Sequence, residues 1–167
     1  MAKLDKNSMK KLMELNIEIA QEKDFSKKIV IISNAIKNII NANRCSIFVH
    51  DKNSKSFWTV HADGISYLEL PDDKGIISKV YKTKEIIIDN NAQSTSHYSA
   101  KNVDYRYITK NILSMPILGF DKDCIGVVQL LNKNSDEGFS DKDIKVLEFV
   151  INHFTTFLQL IVYDEAE

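Results

Sequence analysis

Apolar positions recur with helical spacing at both ends of the chain and with strand-like spacing between them. Among Lys and Glu residues near the amino terminus, Met9, Leu12, Met13, Ile19 and Ala20 predict a helix over 5–22. Asp24 is a suitable cap for a second helix over about 25–42. Its apolar residues, spaced three or four apart, are Phe25, Ile29, Ile32, Ile36 and Ile39.

The last predicted helix begins at Ser140 and Asp143, which have the S-x-x-D spacing of a capping box. Its main apolar strip, spaced three and four apart, consists of Ile144, Leu147, Ile151, Phe154, Leu158 and Ile161. A second strip beside it contains Val146, Val150 and Phe157. The strips at 25–39 and 144–161 exceed what one sheet face needs as cover, so we predict a homodimer joined through these terminal helices.

Between the helices the pattern predicts strands joined by short turns. The runs 45–50 and 57–60 form a hairpin, as do 112–118 and 125–131, and a short edge strand precedes Pro71. Ile86–Ile88 predicts a buried strand, and Gly75–Lys82 a short helix. The polar stretch 89–110 has little periodicity, and a loop of that length is usually functional or mobile.

Because hairpins dominate, we predict an α+β fold with a mostly antiparallel central sheet. The amino- and carboxyl-terminal helices should pack on one face, and the short helix and loop should cover the other. We divide the chain into a helix at 1–24 for linkage or dimerisation, a domain at 25–163 and a tail at 164–167.

Composition narrows the possible functions. The 167 residues suit one domain, and a net charge of −1 with mixed signs predicts no nucleic-acid partner. No run approaches the roughly 18 apolar residues of a membrane span, so we expect no contact with a membrane. Cys45 and Cys124 lie in strand-like runs, and neither they nor the four histidines have metal-ligand spacing. The chain shows no recognisable catalytic motif. We therefore expect a cytoplasmic protein that is not an enzyme and has no metal site.

Four stretches in order, 44–48, 71–77, 109–117 and 125–143, resemble the GAF domains of cyclic-nucleotide phosphodiesterases and bacterial adenylyl cyclases. The last contains residues similar to the family's Asn-Lys…Phe-x-x-x-Asp signature, namely Asn132, Lys133, Phe139 and Asp143. We read these four as an architectural clamp between the last strand and the last helix. The resemblance implies a PAS-related GAF fold with a ligand pocket between the sheet and segment 71–110.

In nucleotide-binding members, residues matching Ser46, Ile76, Ile77 and Thr109 contact the ligand, and Gln129 stands where several members have a glutamate. Three positions depart from the family pattern. Thr-Gly and an arginine are missing before Thr109, Ala62 replaces an aromatic residue of one subgroup, and Ile144 replaces an acidic residue. The first two departures weigh against nucleotide binding.

The chemistry of these residues leaves alternatives open. A helix starting at Gly75 would direct the amides of Ile76 and Ile77 at an anion, although Gly75 alone could simply shape a turn. Aromatic faces for a purine are available at Trp58, Tyr105 and Tyr107, and polar edge partners at Ser46, Asp63 and Gln129. For Trp58 we favour a packing role, because strand aromatics usually pack.

Two functions follow from the sequence. The first is a non-catalytic sensor that binds a small molecule, with cAMP or cGMP as the first candidate, and that requires no cofactor. Its terminal helices would relay ligand binding to an effector domain. The alternative is a ligand-independent dimerisation or protein-interaction module with a vestigial pocket. GAF-like free-methionine sulfoxide reductases have reactive cysteines around the lid, whereas Cys45 and Cys124 lie on predicted strands, which disfavours that activity.

Overall fold

The structure, a computed structural model, describes residues 6–64, 68–94 and 107–164. The helices in these ranges are α1 (Lys6–Gln21), α2 (Phe25–Ile40), α3 (Gly75–Thr83) and α4 (Asp141–Asp164). The strands are β1 (Ala42–Asp51), β2 (Ser56–Ala62), β3 (Glu69–Pro71), β4 (Ile87–Asp89), β5 (Ile112–Leu118) and β6 (Cys124–Lys133). The predicted elements are all present, with ends shifted by one to two residues in most cases.

The six strands form one antiparallel sheet in the order β3-β2-β1-β6-β5-β4. Both predicted hairpins are present, and they are joined at the centre by pairing of β1 with β6. Pro71 lies in the edge strand β3, where a missing N–H is tolerated. The strand predicted as buried at 86–88 is instead the half-buried strand β4 at the opposite edge, where only one neighbour covers it.

The larger core lies between one sheet face and the helices α1, α2 and α4. Alternation along β1 directs Cys45 and Ile47 into this core. The buried helical residues that meet them include Leu12, Leu15, Ile19, Ile29, Ile32, Ile36, Leu147, Ile151, Phe154 and Leu158. Helix α1 therefore shares the core of the domain through its buried leucine and isoleucine side chains.

This packing overturns the argument that the apolar strips of the terminal helices are surplus to one chain. Ile32 and Ile36 on α2 are fully buried, as are Leu147 and Val150 on the two strips of α4. The strips cover the sheet and one another, since three helices share one face. The homodimer remains a prediction.

The smaller core lies on the opposite sheet face, beneath α3. Its buried members are Phe48, Phe57, Leu68, Ile77, Val80 and Val127. The predicted two-sided arrangement is confirmed, with terminal helices on one face and the short helix on the other. No helix in the described ranges has enough length and apolar character to cross a membrane.

Candidate functional site

A row of polar side chains crosses the centre of the α3-side face. Ser46 on β1 pairs with Gln129 on β6, and Gln129 pairs with Ser114 on β5. Directly paired residues share a face, and Phe48, two residues after Ser46, packs in the α3-side core. Nε2 of Gln129 donates a hydrogen bond of 3.0 Å to Oγ of Ser114. Ser46 and Gln129 are half-buried, and they place polar groups on a sheet face that is otherwise apolar.

The row contains one predicted and one unpredicted pairing. The resemblance placed Ser46 and Gln129 in one pocket, and the register brings them together. Ser114 was missed, because only the β5–β6 register shows that it is the neighbour of Gln129. Its hydroxyl accepts from the Gln129 amide, which fixes the orientation of that side chain and leaves the amide oxygen as an acceptor.

Helix α3 begins at Gly75, whose φ of +86° is a conformation that other residues rarely adopt. Lys74 caps the helix with extended backbone and without a side-chain hydrogen bond to it. The amides of Ile76 and Ile77 therefore belong to the open first turn of the helix. The side chains of both residues pack in the α3-side core, Ile77 buried and Ile76 half-buried.

The segment 107–111 returns from the predicted lid to β5 and is held by the signature residue Asn132. Oδ1 of Asn132 accepts from the amide of Lys110 at 2.7 Å, and its Nδ2 donates to the carbonyl of Ile108 at 2.8 Å. Thr109 lies between these anchors and is half-buried. The position of Thr109 is thus fixed by β6. Tyr105 lies outside the described residues.

Asp63 is placed elsewhere than predicted. Its Oδ2 accepts from the Cys45 amide at 2.9 Å and forms a 3.0 Å ion pair with Nζ of Lys37 on α2. Burial raises the pKa of Asp63, but the Cys45 hydrogen bond and the Lys37 charge outweigh it and hold the pKa below its usual value. This carboxylate therefore ties the end of β2 to β1 and α2, and is already neutralised without a ligand.

The aromatic candidates divide between the two sheet faces. Phe57 is buried beneath α3, so strand alternation places the half-buried Trp58 on the opposite face, away from Ser46 and Gln129. Tyr107 belongs to the segment held by Asn132, and its ring stacks on the guanidinium of Arg44 at 3.5 Å. Its hydroxyl donates to Oδ1 of Asn43 at 2.8 Å. Burial raises the pKa of Tyr107, and Arg44 partly offsets this.

Lys133 and Asp143 form the predicted clamp between β6 and α4, and Phe139 is buried in the larger core, whereas Asn132 anchors the segment 107–111 instead. Nζ of Lys133 lies 2.6 Å from Oδ1 of Asp143, and the same ammonium donates to the carbonyl of Ile40 at the end of α2. Oδ2 of Asp143 accepts from the amide and hydroxyl of Ser140, which completes the amino-terminal cap of α4. The Lys133 and Asp143 side chains are only 15% and 11% exposed, so the pair is largely buried.

Both cysteines are free, buried and unsuited to nucleophilic chemistry. Burial raises the pKa of Cys45 to about 12 and that of Cys124 to about 11. A reactive thiol needs a lowered pKa and access to substrate. Among the residues that the structure describes, no group of three or more His, Cys, Asp or Glu side chains is arranged to hold a metal ion.

A separate cleft of about 470 Å³ lies at the other end of β1, between the end of α3 and the β5–β6 turn. His50 lines it and is held by Asp72, whose Oδ2 lies 2.9 Å from Nε2 of His50. The rest of the lining includes Lys52, Tyr81, Lys82, Lys84 and Asp123. Lys84 pairs with Asp123, and the other lysines are surface residues, so this cleft lacks an enclosed set of polar groups.

The comparison with protein families matches the GAF domain over residues 30–156. The chain belongs to the GAF domain family. Among curated relatives, it is 31% identical over 162 residues to the dual 3′,5′-cyclic-AMP and -GMP phosphodiesterase 11A of Takifugu rubripes, covering 87% of this chain. It is 27% identical over 131 residues to the rod cGMP-specific 3′,5′-cyclic phosphodiesterase subunit alpha of Canis lupus familiaris, covering 68%. The chain spans only 18% and 15% of these relatives.

Solved GAF structures share the whole architecture of the chain. The GAF domain of a phosphoenolpyruvate-protein phosphotransferase from Coxiella burnetii has a TM-score of 0.79 and 16% identity, covering 96% of this chain and 98% of that one. The free methionine-R-sulfoxide reductase from Neisseria meningitidis has a TM-score of 0.67 and 14% identity, covering 96% of each chain. At these identities the likeness shows the fold alone, and the fold occurs in both regulatory domains and enzymes.

Proposed function

We propose that this GAF domain is a non-catalytic sensor whose pocket on the α3-side face binds a small molecule, with cAMP or cGMP as the first candidate. The observation that carries the proposal is the polar row formed by Ser46, Gln129 and Ser114 across an apolar face. A flat heterocycle needs apolar cover on its faces and a few fixed hydrogen-bonding groups at its edge. The row supplies the edge groups, and the half-buried Ile76 and Ile87 beside the α3-side core supply apolar surface.

The curated relatives point to the same ligand class. Both are named as phosphodiesterases of cyclic nucleotides, and the aligned part is a small fraction of each. The amides at the start of α3 are suitable donors for a cyclic phosphate. High pKa values and burial of both thiols favour a sensor over a thiol enzyme of the sulfoxide reductase kind.

The test is isothermal titration of the purified chain with cAMP and cGMP, with a metabolite panel screened by thermal unfolding. A ligand selective for the folded state raises the unfolding midpoint, by about 2.7 kcal/mol of stability at a hundredfold excess over Kd. Gln129→Met should weaken binding by about tenfold through loss of one neutral hydrogen bond. Ser26→Ala, an exposed change on α2, is the control. If no compound binds, the vestigial-pocket module replaces the sensor.

The dimer we propose uses the outer face of α1. Met9, Met13 and Ile17 follow one another at intervals of four residues and are 43%, 63% and 59% exposed. The amino-terminal half of this helix carries Lys6, Lys10 and Lys11, and the carboxyl-terminal half carries Glu14 and Glu18. A second copy packed antiparallel on this stripe would cover the apolar residues and set each basic half against an acidic half.

A further inference from the structure

Arg44 lies two residues before Ser46 on the same face of β1, next to the proposed ligand position. Its guanidinium lies between two other segments of the chain. On one side its guanidinium stacks on the ring of Tyr107 at 3.5 Å. On the other side the turn after β2 approaches, and a Cβ added to Gly64 would lie 3.1 Å from Cζ of Arg44.

Gly64 has a φ of +79° and no side chain, and both properties allow the guanidinium to lie against the turn. Stacking on Tyr107 fixes the plane of the guanidinium while leaving its edge N–H groups free to donate in that plane. The hydrogen bond from Tyr107 to Asn43 in turn holds the ring in place. Arg44 is thus preorganised by contacts that use its faces only.

The guanidinium has five N–H donors, and within the described ranges none of them forms a hydrogen bond or an ion pair with protein. The nearby carboxylate of Asp63 is directed to Lys37 and to the Cys45 amide instead. A half-buried, oriented cation with unused donors is suited to bidentate recognition of a phosphate or carboxylate.

We propose that Arg44, oriented by Tyr107 and Gly64, is the anion-recognition residue of the pocket and binds the phosphate oxygens of its ligand. This inference rests on the proposed function for the location of the ligand. The sequence lacks the arginine that other family members carry just before the threonine matched by Thr109. Arg44 would supply a cation instead. In this chain the cation comes from β1.

The first experiment compares charged and uncharged ligands. Titration calorimetry measures the affinity of the unmodified chain for cAMP and cGMP and for the uncharged nucleosides adenosine and guanosine. The same affinities are measured for Arg44→Gln, for Arg44→Lys and for Lys145→Gln, which removes an exposed charge and is the control. A charge-assisted hydrogen bond predicts a loss of about 10- to 100-fold in cyclic-nucleotide affinity for Arg44→Gln, with nucleoside affinity unchanged. Arg44→Lys should recover little, because an ammonium neither stacks nor donates bidentately. Equal losses for nucleotide and nucleoside, or no loss, would overturn the proposal.

A second experiment does not depend on a purine ligand. The Nε–H resonance of Arg44, assigned by its loss in Arg44→Gln, is followed by NMR during titration with inorganic phosphate and, separately, with uncharged glycerol. The proposal expects a saturable shift of this resonance with phosphate and none with glycerol. A resonance that phosphate leaves unchanged would refute the anion subsite. If phosphate binds but no cyclic nucleotide does, the proposed ligand class fails while the subsite stands.

Discussion

Asn90 and Phe139 are joined by two hydrogen bonds between the exit of β4 and the start of α4. Nδ2 of Asn90 donates to the carbonyl of Phe139 at 2.9 Å, and the amide of Phe139 donates to Oδ1 of Asn90 at 2.8 Å. One asparagine side chain thus substitutes for a pair of backbone partners. It ties the beginning of the segment that leads into the predicted lid to the terminal helix, just as Asn132 ties its end to β6.

We predict that Asn90→Ala lowers the free energy of unfolding by about 1–3 kcal/mol, since two partly buried backbone groups lose their partner. Urea unfolding followed by circular dichroism measures the change. Asn53→Ala, in an exposed turn, is the matched control and should alter stability by less than about 0.5 kcal/mol. Similar small effects of both substitutions would show that the hydrogen bonds of Asn90 make no net contribution to the free energy of unfolding.

Burial of the Lys133–Asp143 pair leads to a larger expected effect. Lys133→Met leaves the Asp143 carboxylate buried without its cation and removes the donor to Ile40. We expect a loss of about 3 kcal/mol in the free energy of unfolding. Lys10→Met breaks the exposed pair with Glu14, whose side chains are 76% and 62% exposed, and should cost less than about 0.5 kcal/mol. Comparable losses in the two variants would contradict the distinction drawn from burial.

The lowered pKa of Asp63 predicts a specific acid sensitivity. A carboxyl whose pKa is lower in the folded state than in the unfolded state stabilises the fold above its unfolded pKa, here about 3.8. That contribution is lost as pH falls through the lower folded pKa. The stability difference between the unmodified chain and Asp63→Asn should therefore be full above about pH 5 and shrink below about pH 4. Urea titrations at several pH values test this, and a difference independent of pH would contradict it.

The high thiol pKa values predict inert cysteines. In the folded chain at pH 7.5, Cys45 and Cys124 should react with iodoacetamide at least about a hundredfold more slowly than in urea, because burial suppresses both thiolate formation and access. Mass spectrometry of the alkylated peptides resolves the two sites. Fast alkylation of Cys124 under folded conditions would show that its thiol is accessible and reactive, contrary to this prediction.

The sequence predicted the elements well because each one has a strong local period. Ile29, Ile32 and Ile36 are buried as their helical spacing requires, and Asp24 caps α2 by accepting from the Lys27 amide. Motif resemblance also selected Ser46 and Gln129, which the register pairs on one sheet face. Local patterns and short motifs are therefore sufficient for the fold and for this one pairing in the candidate site.

The sequence did not show which partner each side chain meets across the fold. The stacking of Arg44 on Tyr107 and the bonds from Asn90 to Phe139 join residues far apart in the chain. Neither contact has a periodic signal, since each depends on how the loops cross the sheet. The same limit explains Asp63, which was predicted as an edge partner for a purine but is held by Lys37 and the Cys45 amide.

The apolar stripe on α1 gives the prediction on assembly. Met13 is the central and most exposed residue of the stripe at 63%, so it would lie near the two-fold axis of an antiparallel pair. Met13→Glu places like charges together at that axis and removes apolar cover, and should raise the dimer dissociation constant by at least about tenfold.

Charge reversal tests the antiparallel orientation. Glu14→Lys should weaken self-association, and so should the double change Lys6→Glu with Lys10→Glu, because these charges flank the apolar stripe and each change sets like charges against the partner helix. Mixing the two variants should restore a mixed dimer, since opposite charges then face each other. Sedimentation velocity over a concentration series detects each species. An unmodified chain that remains monomeric at the highest concentration would rule out the dimer. A dimer that Glu14→Lys leaves unchanged would instead rule out the antiparallel pairing.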